Sequence, residues 1–307
     1  MQIITSLDEI ELMHPSAVAI GKFDGIHLGH RQLLGEIIAK KQEGMKAVVF
    51  TFNPSPSVLF SKVKEKELTS CEEKRKLFED LGIDVLVEFP LTYETAATPK
   101  ENFVKEILVQ KLNAKHIVAG TDLSFGKNGE GNSAFLLVES GKFGFKVEII
   151  DKISYKGEII SSTLVRKAIS EGDVKKARFM LGSPYFVQGV VKKGNQIGRT
   201  IGFPTVNISA GDDKLLPPNG VYKTEVVFEG RILEAITNVG CKPTVADDGQ
   251  IFIESYIYNF TENIYEKEIE VHFLEFIRKE QKFSSIEELK EQLQKDIRLG
   301  QKINVEV

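Results

Sequence analysis

The spacing of hydrophobic positions differs between the first 180 residues and the rest of the chain. In the first part, apolar runs at 17–21 and 46–52 alternate with amphipathic helical stretches at 28–42 and 71–81. Further strands are predicted at 84–89, 115–120 and 145–150, and further helices at 101–112 and 132–142. This alternation predicts a parallel α/β sheet with helices on both faces, which binds ligands beyond the carboxyl ends of its strands.

After about residue 183, short β-rich runs follow one another, separated by Gly, Pro and Asn. They cover 185–191, 222–228, 232–239, 251–260 and 268–274. This pattern predicts a small antiparallel barrel or sandwich. A last helix is predicted at about 285–299, where Ser285-Ile-Glu-Glu has the form of a capping box. We therefore expect two domains, 1–182 and 183–307, which suits a chain of 307 residues.

Composition narrows the class of protein. Apolar residues make up 42% and charged residues 27%, as in an ordinary globular protein. Lys and Arg number 40 and Asp and Glu 44, and this net charge of −4 argues against a dedicated nucleic-acid binder. Cys71 and Cys241 lie far apart, which argues against a disulfide framework. The sequence shows neither a leader peptide nor an apolar run of membrane-spanning length. We expect a cytoplasmic protein without a membrane or nucleic-acid partner.

A glycine-rich loop joins the first long strand to the following helix. Residues 21–30 are GKFDGIHLGH, which places His27 and His30 three residues apart at a helix start. Free N–H groups there bind phosphate, and two imidazoles on one helical face can stabilise charge at an attacked phosphorus. A turn with two surface histidines and a two-histidine metal site remain alternatives. The candidate phosphate-binding residues of this loop are Gly21, Phe23, Asp24, Gly25 and Gly29.

A second anion-binding pattern opens a helix near residue 160. Residues 160–166 are ISSTLVR, so the hydroxyls of Ser161, Ser162 and Thr163 crowd a helix start and Arg166 follows one turn later. Hydroxyls, backbone N–H groups and a guanidinium together form an anion clamp. An ordinary helix cap beside an exposed arginine is the alternative.

The second half has its own candidate site. In residues 198–207, GRTIGFPTVN, Thr205 and Asn207 share one face of an extended strand and offer oxygen ligands suited to Mg²⁺ with ATP phosphates. A plain turn entering a strand is the alternative. Phosphoryl transfer also needs a group that activates the attacking hydroxyl. Glu254, among aromatic residues on one strand face, is either that base or a solvated edge residue.

These motifs together resemble the prokaryotic bifunctional riboflavin kinase/FAD synthetase family. GxFDGxHxGH and ISSTxxR are similar to the motifs of its HxGH nucleotidyltransferase domain, as are residues 51–56 (TFNPSP) and 119–126 (AGTDLSFG). Residues 198–207, 216–222 (LPPNGVY), 238–244 (NVGCKPT) and 277–283 (IRKEQKF) resemble its riboflavin kinase motifs. The chain departs from the family pattern at Lys22, Leu123, Val206, Lys242 and Tyr256.

The resemblance implies an HxGH nucleotidyltransferase domain and a β-barrel kinase domain. The kinase would phosphorylate riboflavin to FMN with ATP, and the first domain would adenylylate FMN to FAD and release pyrophosphate. It implies catalytic roles for Glu254, His27, His30 and Arg166, and Mg²⁺ held by Thr205 and Asn207. In the first domain, the residues implied to bind flavin are Asn53, Asp122 and Phe125. The ATP- and flavin-binding residues implied for the kinase are Gly194, Gly198, Arg199, Gly202, Phe203, Pro204, Tyr222 and Arg278.

Two other functions stay open. One is a monofunctional adenylyltransferase whose barrel only binds flavin, which Lys242 and Tyr256 keep in consideration. The other is a flavin sensor without activity, although a sensor has no need of phosphate-transfer groups. In each case the expected partners are small molecules, namely flavins, ATP, ADP and pyrophosphate, and we expect a monomer or a weak homo-oligomer.

Overall fold

The structure is a computed structural model that describes residues 1–60, 65–193, 198, 201–241 and 251–302. Packing of the Cα trace divides the chain into two compact units, Met1–Ser162 and Thr163–Val307. Each unit is described by itself below.

The first unit is an α/β unit built on a parallel sheet. Its strands are β1 (Gln2–Ile4), β2 (Ser16–Ile20), β3 (Lys46–Asn53), β4 (Val85–Pro90), β5 (Ala114–Gly120), β6 (Ser124–Phe125), β7 (Gly131–Asn132), β8 (Lys146–Ile150), β9 (Ser154–Tyr155) and β10 (Glu158–Ile159). Its helices are α1 (Leu28–Ala39), α2 (Pro56–Phe60), α3 (Cys71–Asp80), α4 (Lys100–Asn102, continuing as a π-helix over Phe103–Lys111) and α5 (Ser133–Phe143). Short 3-10 helices cover Leu7–Glu9, Lys40–Glu43, Thr95–Ala97 and Lys127–Gly129.

Within the described residues, the main sheet has the order β1-β4-β3-β2-β5-β8, and each neighbouring pair is parallel. Both faces are buried, which explains the uninterrupted apolar runs of β2 and β3. Val18 and Ile20 pack on one face with helix α4, whereas Ala17 and Ala19 pack on the other with α1 and α3. The structure thus confirms the predicted parallel sheet with helices on both faces.

The helix bounds follow local capping chemistry. Helix α3 begins after Ser70, whose hydroxyl accepts from the N–H of Glu73 while the Glu73 carboxylate accepts from the N–H of Ser70. This capping box satisfies two backbone donors that the first turn leaves free. Helix α1 ends as expected before Gly44, which has φ 80° and closes the following 3-10 turn.

The second unit combines two helices, a barrel and a C-terminal helix. Its helices are α6 (Ser162–Ser170), α7 (Val174–Leu181) and α8 (Ile286–Lys302), of which α6 begins at the last residue of the first unit. Its strands are β11 (Tyr185–Val190), β12 (Val206–Ser209), β13 (Gly220–Phe228), β14 (Arg231–Cys241), β15 (Ile251–Ile257) and β16 (Glu268–Lys279).

The six strands described in this unit form an antiparallel barrel with the order β11-β16-β13-β14-β15-β12. The barrel nearly closes, because the N–H of Lys192, just after β11, donates to the carbonyl of Asn207 in β12 at 2.8 Å. Apolar residues fill the interior beside a buried chain of hydroxyls. Thr237 Oγ1 lies 2.7 Å from Thr224 Oγ1 and 2.8 Å from Ser255 Oγ. The predicted barrel is therefore confirmed.

The division into compact units at Ser162 and Thr163 groups helices α6 and α7 with the barrel, and the domain boundary expected at 182/183 stays a prediction. Helix α7 supplies an ion pair to the barrel, between Lys175 and Glu275 at 2.7 Å. It ends at Gly182, whose φ of 73° provides a left-handed cap just before β11 begins. The predicted boundary therefore coincides with a helix end.

Candidate functional site

The loop between β2 and α1 has an unusual backbone. Phe23 and Ile26 adopt φ of 50° and 40°, and Gly25 adopts 81°. Non-glycine residues seldom occupy this left-handed region, so surrounding contacts must hold them there. Both the Phe23 and the Ile26 side chains are fully buried against α1 and α3, which supplies that restraint. The loop is therefore a fixed structure at the carboxyl end of a central strand.

Asp24 holds this loop to the start of α3. Its Oδ1 accepts hydrogen bonds from the backbone N–H of Leu68 at 2.9 Å and of Thr69 at 3.2 Å. The Thr69 hydroxyl in turn accepts from the N–H of Gly25 at 3.2 Å. Ser162 adds a hydrogen bond from its hydroxyl to the Asp24 carbonyl at 2.8 Å. The Asp24 carboxylate thus orders the loop, and its predicted contact with ATP stays a prediction.

His27 and His30 lie against each other at the start of α1. Their rings are stacked, with centroids 3.8 Å apart and an interplanar angle of 15°. His27 caps the helix, because its Nδ1 accepts from the N–H of His30 at 3.4 Å. A Cβ on Gly29 would come within 3.2 Å of the His27 ring, so glycine permits this arrangement. Since Nδ1 is an acceptor, the proton of a neutral His27 is on Nε2.

Burial keeps both imidazoles neutral. It lowers the pKa of His27 from 6.5 to about 4, and the nearby carboxylates of Asp122 and Asp24 offset this effect only in part. It also lowers the pKa of His30 well below its usual range, and the charges of His27 and Lys74 lower it further. At neutral pH these histidines are therefore uncharged, and a neutral imidazole can donate a hydrogen bond through its N–H group. Nδ1 of His30 is buried without a hydrogen-bond partner among the described residues.

The residues predicted to bind flavin in this unit fall in two environments. Asn53 and Asp122 are exposed, at or just beyond the carboxyl ends of β3 and β5, the two strands that flank β2. Asp122 forms an ion pair with Lys152 at 2.9 Å. Phe125 is instead a core residue, 3% exposed, with its ring centroid 5.0 Å from that of Phe103. A direct contact of Phe125 with flavin would require rearrangement of this core.

The residues of the predicted anion clamp fall on both sides of the division along the chain. Ser162 contacts the Asp24 carbonyl in the first unit. Thr163 and Arg166 lie in α6 on the side of the second unit, with Arg166 one helical turn after Ser162. Their association with the histidines, and that of Ser161, stays a prediction.

In the barrel, the structure brings Glu254 together with both predicted Mg²⁺ ligands. The hydroxyl of Thr205 donates to Oε1 of Glu254 at 2.6 Å. Asn207 of β12 is directly opposite Glu254 of β15, and Asn238 of β14 is opposite Glu254 on its other side. Residues directly opposite in antiparallel strands present their side chains to the same face. Asn207, Glu254 and Asn238 therefore form one row across three strands.

Aromatic rings line the same face of β15, as the alternation predicts. Ile253, Ser255 and Ile257 face the barrel interior, which leaves Glu254 and Tyr256 on the other face. The Tyr256 ring lies 5.6 Å from Phe203 and 5.9 Å from Tyr258.

The turn before β12 is held by backbone hydrogen bonds. The Gly198 carbonyl accepts from the N–H groups of Ile201 at 3.2 Å and Phe203 at 2.7 Å. A Cβ on Gly198 would collide with the Phe203 carbonyl, and Gly202 has φ 89°. Pro204 is exposed beside Thr205. This turn sets the position from which Thr205 reaches Glu254.

Two residues predicted to bind substrate in the kinase form hydrogen bonds with other parts of the second unit. Tyr222 is fully buried and its hydroxyl donates to the Pro218 carbonyl at 2.6 Å. Arg278 contacts the fully buried Asp296 of α8 through Nε at 2.9 Å and Nη2 at 2.6 Å. Arg278 thus fastens the C-terminal helix to β16, and a role of either residue in substrate binding stays a prediction.

Three positions named from the sequence lie outside the described residues, namely Gly194, Arg199 and Lys242. Among the described residues no group of three or more His, Cys, Asp or Glu side chains could hold a metal ion. The alternative of a two-histidine metal site at His27 and His30 involves fewer side chains than such a group and stays untested.

Sequence reasoning did not assign a role to Asn238 or Thr69. Asn238 begins one of the kinase-like motifs, and only the strand register places it beside Glu254. Its amide also lies near Glu280, with Nδ2 3.4 Å from Oε1. Thr69 precedes the capping box of α3, and its hydroxyl supports the loop at Gly25.

Two known protein families match successive parts of the chain. Residues 9–164 match the family described as FAD synthetase. Residues 181–304 match the family described as riboflavin kinase. The two matches follow one another along the chain in the order that the motifs predict.

Similar proteins extend these matches over most of the chain. A bifunctional riboflavin kinase/FMN adenylyltransferase of Listeria monocytogenes is 38% identical over 91% of this chain and 89% of its own length. The corresponding Bacillus subtilis enzyme is 35% identical over 92% of this chain and 90% of its own length.

A solved structure has a similar fold over its whole length. It is a Streptococcus pneumoniae protein described as a macrolide-efflux protein, 30% identical, with a TM-score of 0.87 over 99% of this chain and 100% of that one. In the part of the present chain that the structure describes, no helix combines the length and apolar character that crossing a membrane requires.

Proposed function

The chain belongs to the bifunctional riboflavin kinase/FMN adenylyltransferase family, and from this premise we propose how its residues carry out the two reactions. It phosphorylates riboflavin to FMN with ATP, and it adenylylates FMN to FAD with a second ATP. Two observations support the assignment most strongly. Two stacked histidines lie at the start of a helix in the first unit, and a hydrogen-bonded carboxylate lies beside oxygen donors in the second.

Adenylylation takes place at the start of α1. An oxygen of the FMN phosphate attacks the α-phosphorus of ATP, and the bond from that phosphorus to the leaving pyrophosphate breaks. Negative charge grows on the α-phosphate oxygens during this step. We assign its stabilisation to N–H groups of His27 and His30. Their lowered pKa values keep them neutral, so their role is donation of hydrogen bonds rather than proton transfer.

The remaining phosphate contacts come from helix starts and hydroxyls. The first turn of α1 has backbone N–H groups with no intrahelical partner, and the helix dipole favours negative charge there. We propose that Ser161, Ser162, Thr163 and Arg166 contact the other phosphates, and that Asn53 and Asp122 contact the flavin. The placement of Asn53 and Asp122 around the carboxyl edge that carries the histidine loop supports this role.

Phosphorylation takes place beside Glu254. Its carboxylate takes the proton of the riboflavin 5′-hydroxyl as that oxygen attacks the γ-phosphorus of ATP, and ADP leaves. The hydrogen bond from Thr205 holds one carboxylate oxygen and leaves the other for the substrate. Tyr256 lies on the same face of β15 as Glu254, and its ring packs edge-on against Phe203. Their position supports a role in holding the flavin near the base.

The residues beside Glu254 fit Mg²⁺ as a kinase cofactor. Thr205 and Asn207 provide hydroxyl and amide oxygens, the hard donors that this ion prefers. Mg²⁺ in kinase sites is commonly held by one or two protein ligands together with substrate phosphates. When bound, Mg²⁺ neutralises phosphate charge. Thr205 and Asn207 would hold it, and Glu254 would receive the proton.

Other features of the proposal rest on the sequence. We propose that the functional domains divide at 182/183, where α7 ends, although α6 and α7 are grouped with the barrel. A cytoplasmic location and a monomeric or weakly associating state also stay predictions. Each can be measured separately from activity.

One assay separates the proposed function from its alternatives. The chain is incubated with riboflavin, ATP and Mg²⁺, or with FMN, ATP and Mg²⁺, and the flavins are separated by chromatography. We expect FMN and FAD in the first reaction and FAD in the second. FAD made only from supplied FMN would indicate a monofunctional adenylyltransferase. No turnover in either reaction would indicate a flavin sensor.

A further inference from the structure

Lys74 is a buried cation in the first unit. Its side chain is on the second turn of α3 and is 8% exposed, whereas most lysines lie at protein surfaces. Among the described residues, its ammonium group forms no hydrogen bond or ion pair, and its Nζ is not one of the fully buried polar atoms. A lysine whose side chain is this largely buried normally pairs its charge with a carboxylate or another acceptor. A site that keeps such a group is suited to an anionic ligand that supplies the missing partner.

The packing of α3 directs Lys74 toward the histidine loop. Phe78, one turn after Lys74 and on the same helical face, packs edge-on against Phe23 with ring centroids 5.7 Å apart. The Phe23 ring lies 5.2 Å from the ring of His30. At the start of the same helix, Thr69 contacts the loop at Gly25. Lys74 therefore belongs to the face of α3 that covers the loop.

The nearby carboxylates have other partners. Asp24 accepts hydrogen bonds from the N–H groups of Leu68 and Thr69, and Glu73 accepts from the N–H of Ser70 in the capping box. Meanwhile, Nδ1 of His30 is buried without a partner, and the positive charge of Lys74 contributes to the lowered pKa of His30. One buried imidazole nitrogen and one ammonium group near the same loop thus have no hydrogen-bond partner among the described residues.

We propose that Lys74 binds the β- and γ-phosphates of ATP in the adenylylation site and stabilises pyrophosphate as it leaves. This inference rests on the proposed adenylyltransferase function. The bond between the α-phosphorus and the bridging oxygen breaks in this step, and its electron pair stays on the pyrophosphate. A preorganised ammonium group is most effective where that charge develops.

The test replaces Lys74 with methionine, which has a similar length and no charge. We expect Lys74→Met to lower kcat/KM for ATP in FMN adenylylation by about 10- to 100-fold, as for loss of a charge-assisted hydrogen bond. The matched control is Lys76→Met on the same helix, where Lys76 is exposed and pairs with Asp80 at 2.9 Å. This control should stay within about twofold of the parent chain. Riboflavin kinase activity should be unchanged in both variants and reports that the chain is folded.

Binding of inorganic pyrophosphate, followed by calorimetry on the full chain, gives a readout independent of turnover. We expect Lys74→Met to weaken it by a similar factor, whereas Lys74→Arg should retain part of it because the charge remains. Unchanged pyrophosphate binding in Lys74→Met would overturn the inference. Equal loss in Lys74→Met and Lys74→Arg, together with loss of kinase activity, would assign Lys74 a structural role and overturn it as well. Failure of the parent chain to convert FMN to FAD would instead contradict the proposed function.

Discussion

The hydroxyl of Thr205 donates a 2.6 Å hydrogen bond to Oε1 of Glu254, although the two residues are 49 positions apart in the chain. This contact fixes the carboxylate at the edge of the row formed with Asn207 and Asn238. Because the Thr205 hydroxyl donates its proton in the hydrogen bond to Glu254, the lone pairs of its oxygen are available to other partners. One threonine can therefore orient the base and also offer an oxygen ligand to a cation.

Replacement of Thr205 tests this double role. Thr205→Val keeps the shape of the side chain and removes the hydroxyl, so we expect kcat for riboflavin phosphorylation to fall by about 10- to 100-fold. Thr205→Ser keeps the hydroxyl and should retain most of the activity. Conversion of FMN to FAD should be the same in both variants. Equal kinase rates in the valine and serine variants would show that the hydroxyl has no role.

Asn238 is predicted to support the same reaction. It is directly opposite Glu254 in the strand register, so its amide reaches the row that would hold phosphate. We expect Asn238→Ala to reduce kcat/KM for riboflavin phosphorylation by about tenfold, the effect of one lost hydrogen bond.

The matched control for this variant is Asn219→Ala. Asn219 donates to Glu280 at 3.1 Å, and Asn238 lies near that same carboxylate, but Asn219 is not opposite Glu254. Steady-state kinetics should show little change for Asn219→Ala. If the two variants lost activity equally, their shared contact with Glu280 would explain the effect, and the register argument would be wrong.

The lowered pKa of His27 predicts that the first unit becomes less stable to unfolding in acid. The unfolded chain binds a proton at His27 below pH 6.5, whereas the folded chain does so only near pH 4. Between these values the unfolded state holds more protons, so the free energy of unfolding falls as the pH falls, by up to about 3 kcal/mol. His27→Asn retains a helix cap without the titrating group. Denaturant unfolding between pH 7 and pH 4 should show that the free energy of unfolding falls less in this variant than in the parent chain. An equal fall in both proteins would contradict the role assigned to His27.

The ion pair of Arg278 with Asp296 is predicted to stabilise the packing of α8 on the barrel. Removal of one partner leaves a fully buried carboxylate without its main counter-charge, so Arg278→Met should lower the free energy of unfolding by about 3 kcal/mol. Arg231→Met removes an exposed ion pair with Glu262 and should leave the midpoint of chemical denaturation unchanged. Chemical denaturation measures both. A stable Arg278→Met variant with weakened ATP or flavin binding would support the alternative, substrate-binding role.

Local sequence predicted the elements well where one physical pattern dominates. The apolar run of β2, the amphipathic α1 and the alternation along β15 each lie within a residue or a few of their expected bounds. Helix α7 escaped prediction because it is short, with eight residues from Val174 to Leu181. Its role depends on contacts such as the Lys175–Glu275 ion pair, which local sequence does not contain.

Side-chain direction and strand register explain the differences at the candidate sites. Phe125 and Tyr222 occur in motifs, yet both rings point into cores that form only when distant segments pack. Asn238 and Glu254 become neighbours through the pairing of β14 with β15, and spacing within either segment does not encode that register. Lys74 is a charged helix residue in the sequence, and only packing of α3 on the loop buries it.

The most direct test of two separate sites is a comparison of two variants by chromatography of flavins. Glu254→Gln should lose conversion of riboflavin to FMN and keep conversion of FMN to FAD. His30→Ala should make FMN from riboflavin and fail to make FAD. Retention of both activities in either variant, or loss of both in a folded variant, would contradict the assignment of one reaction to each site.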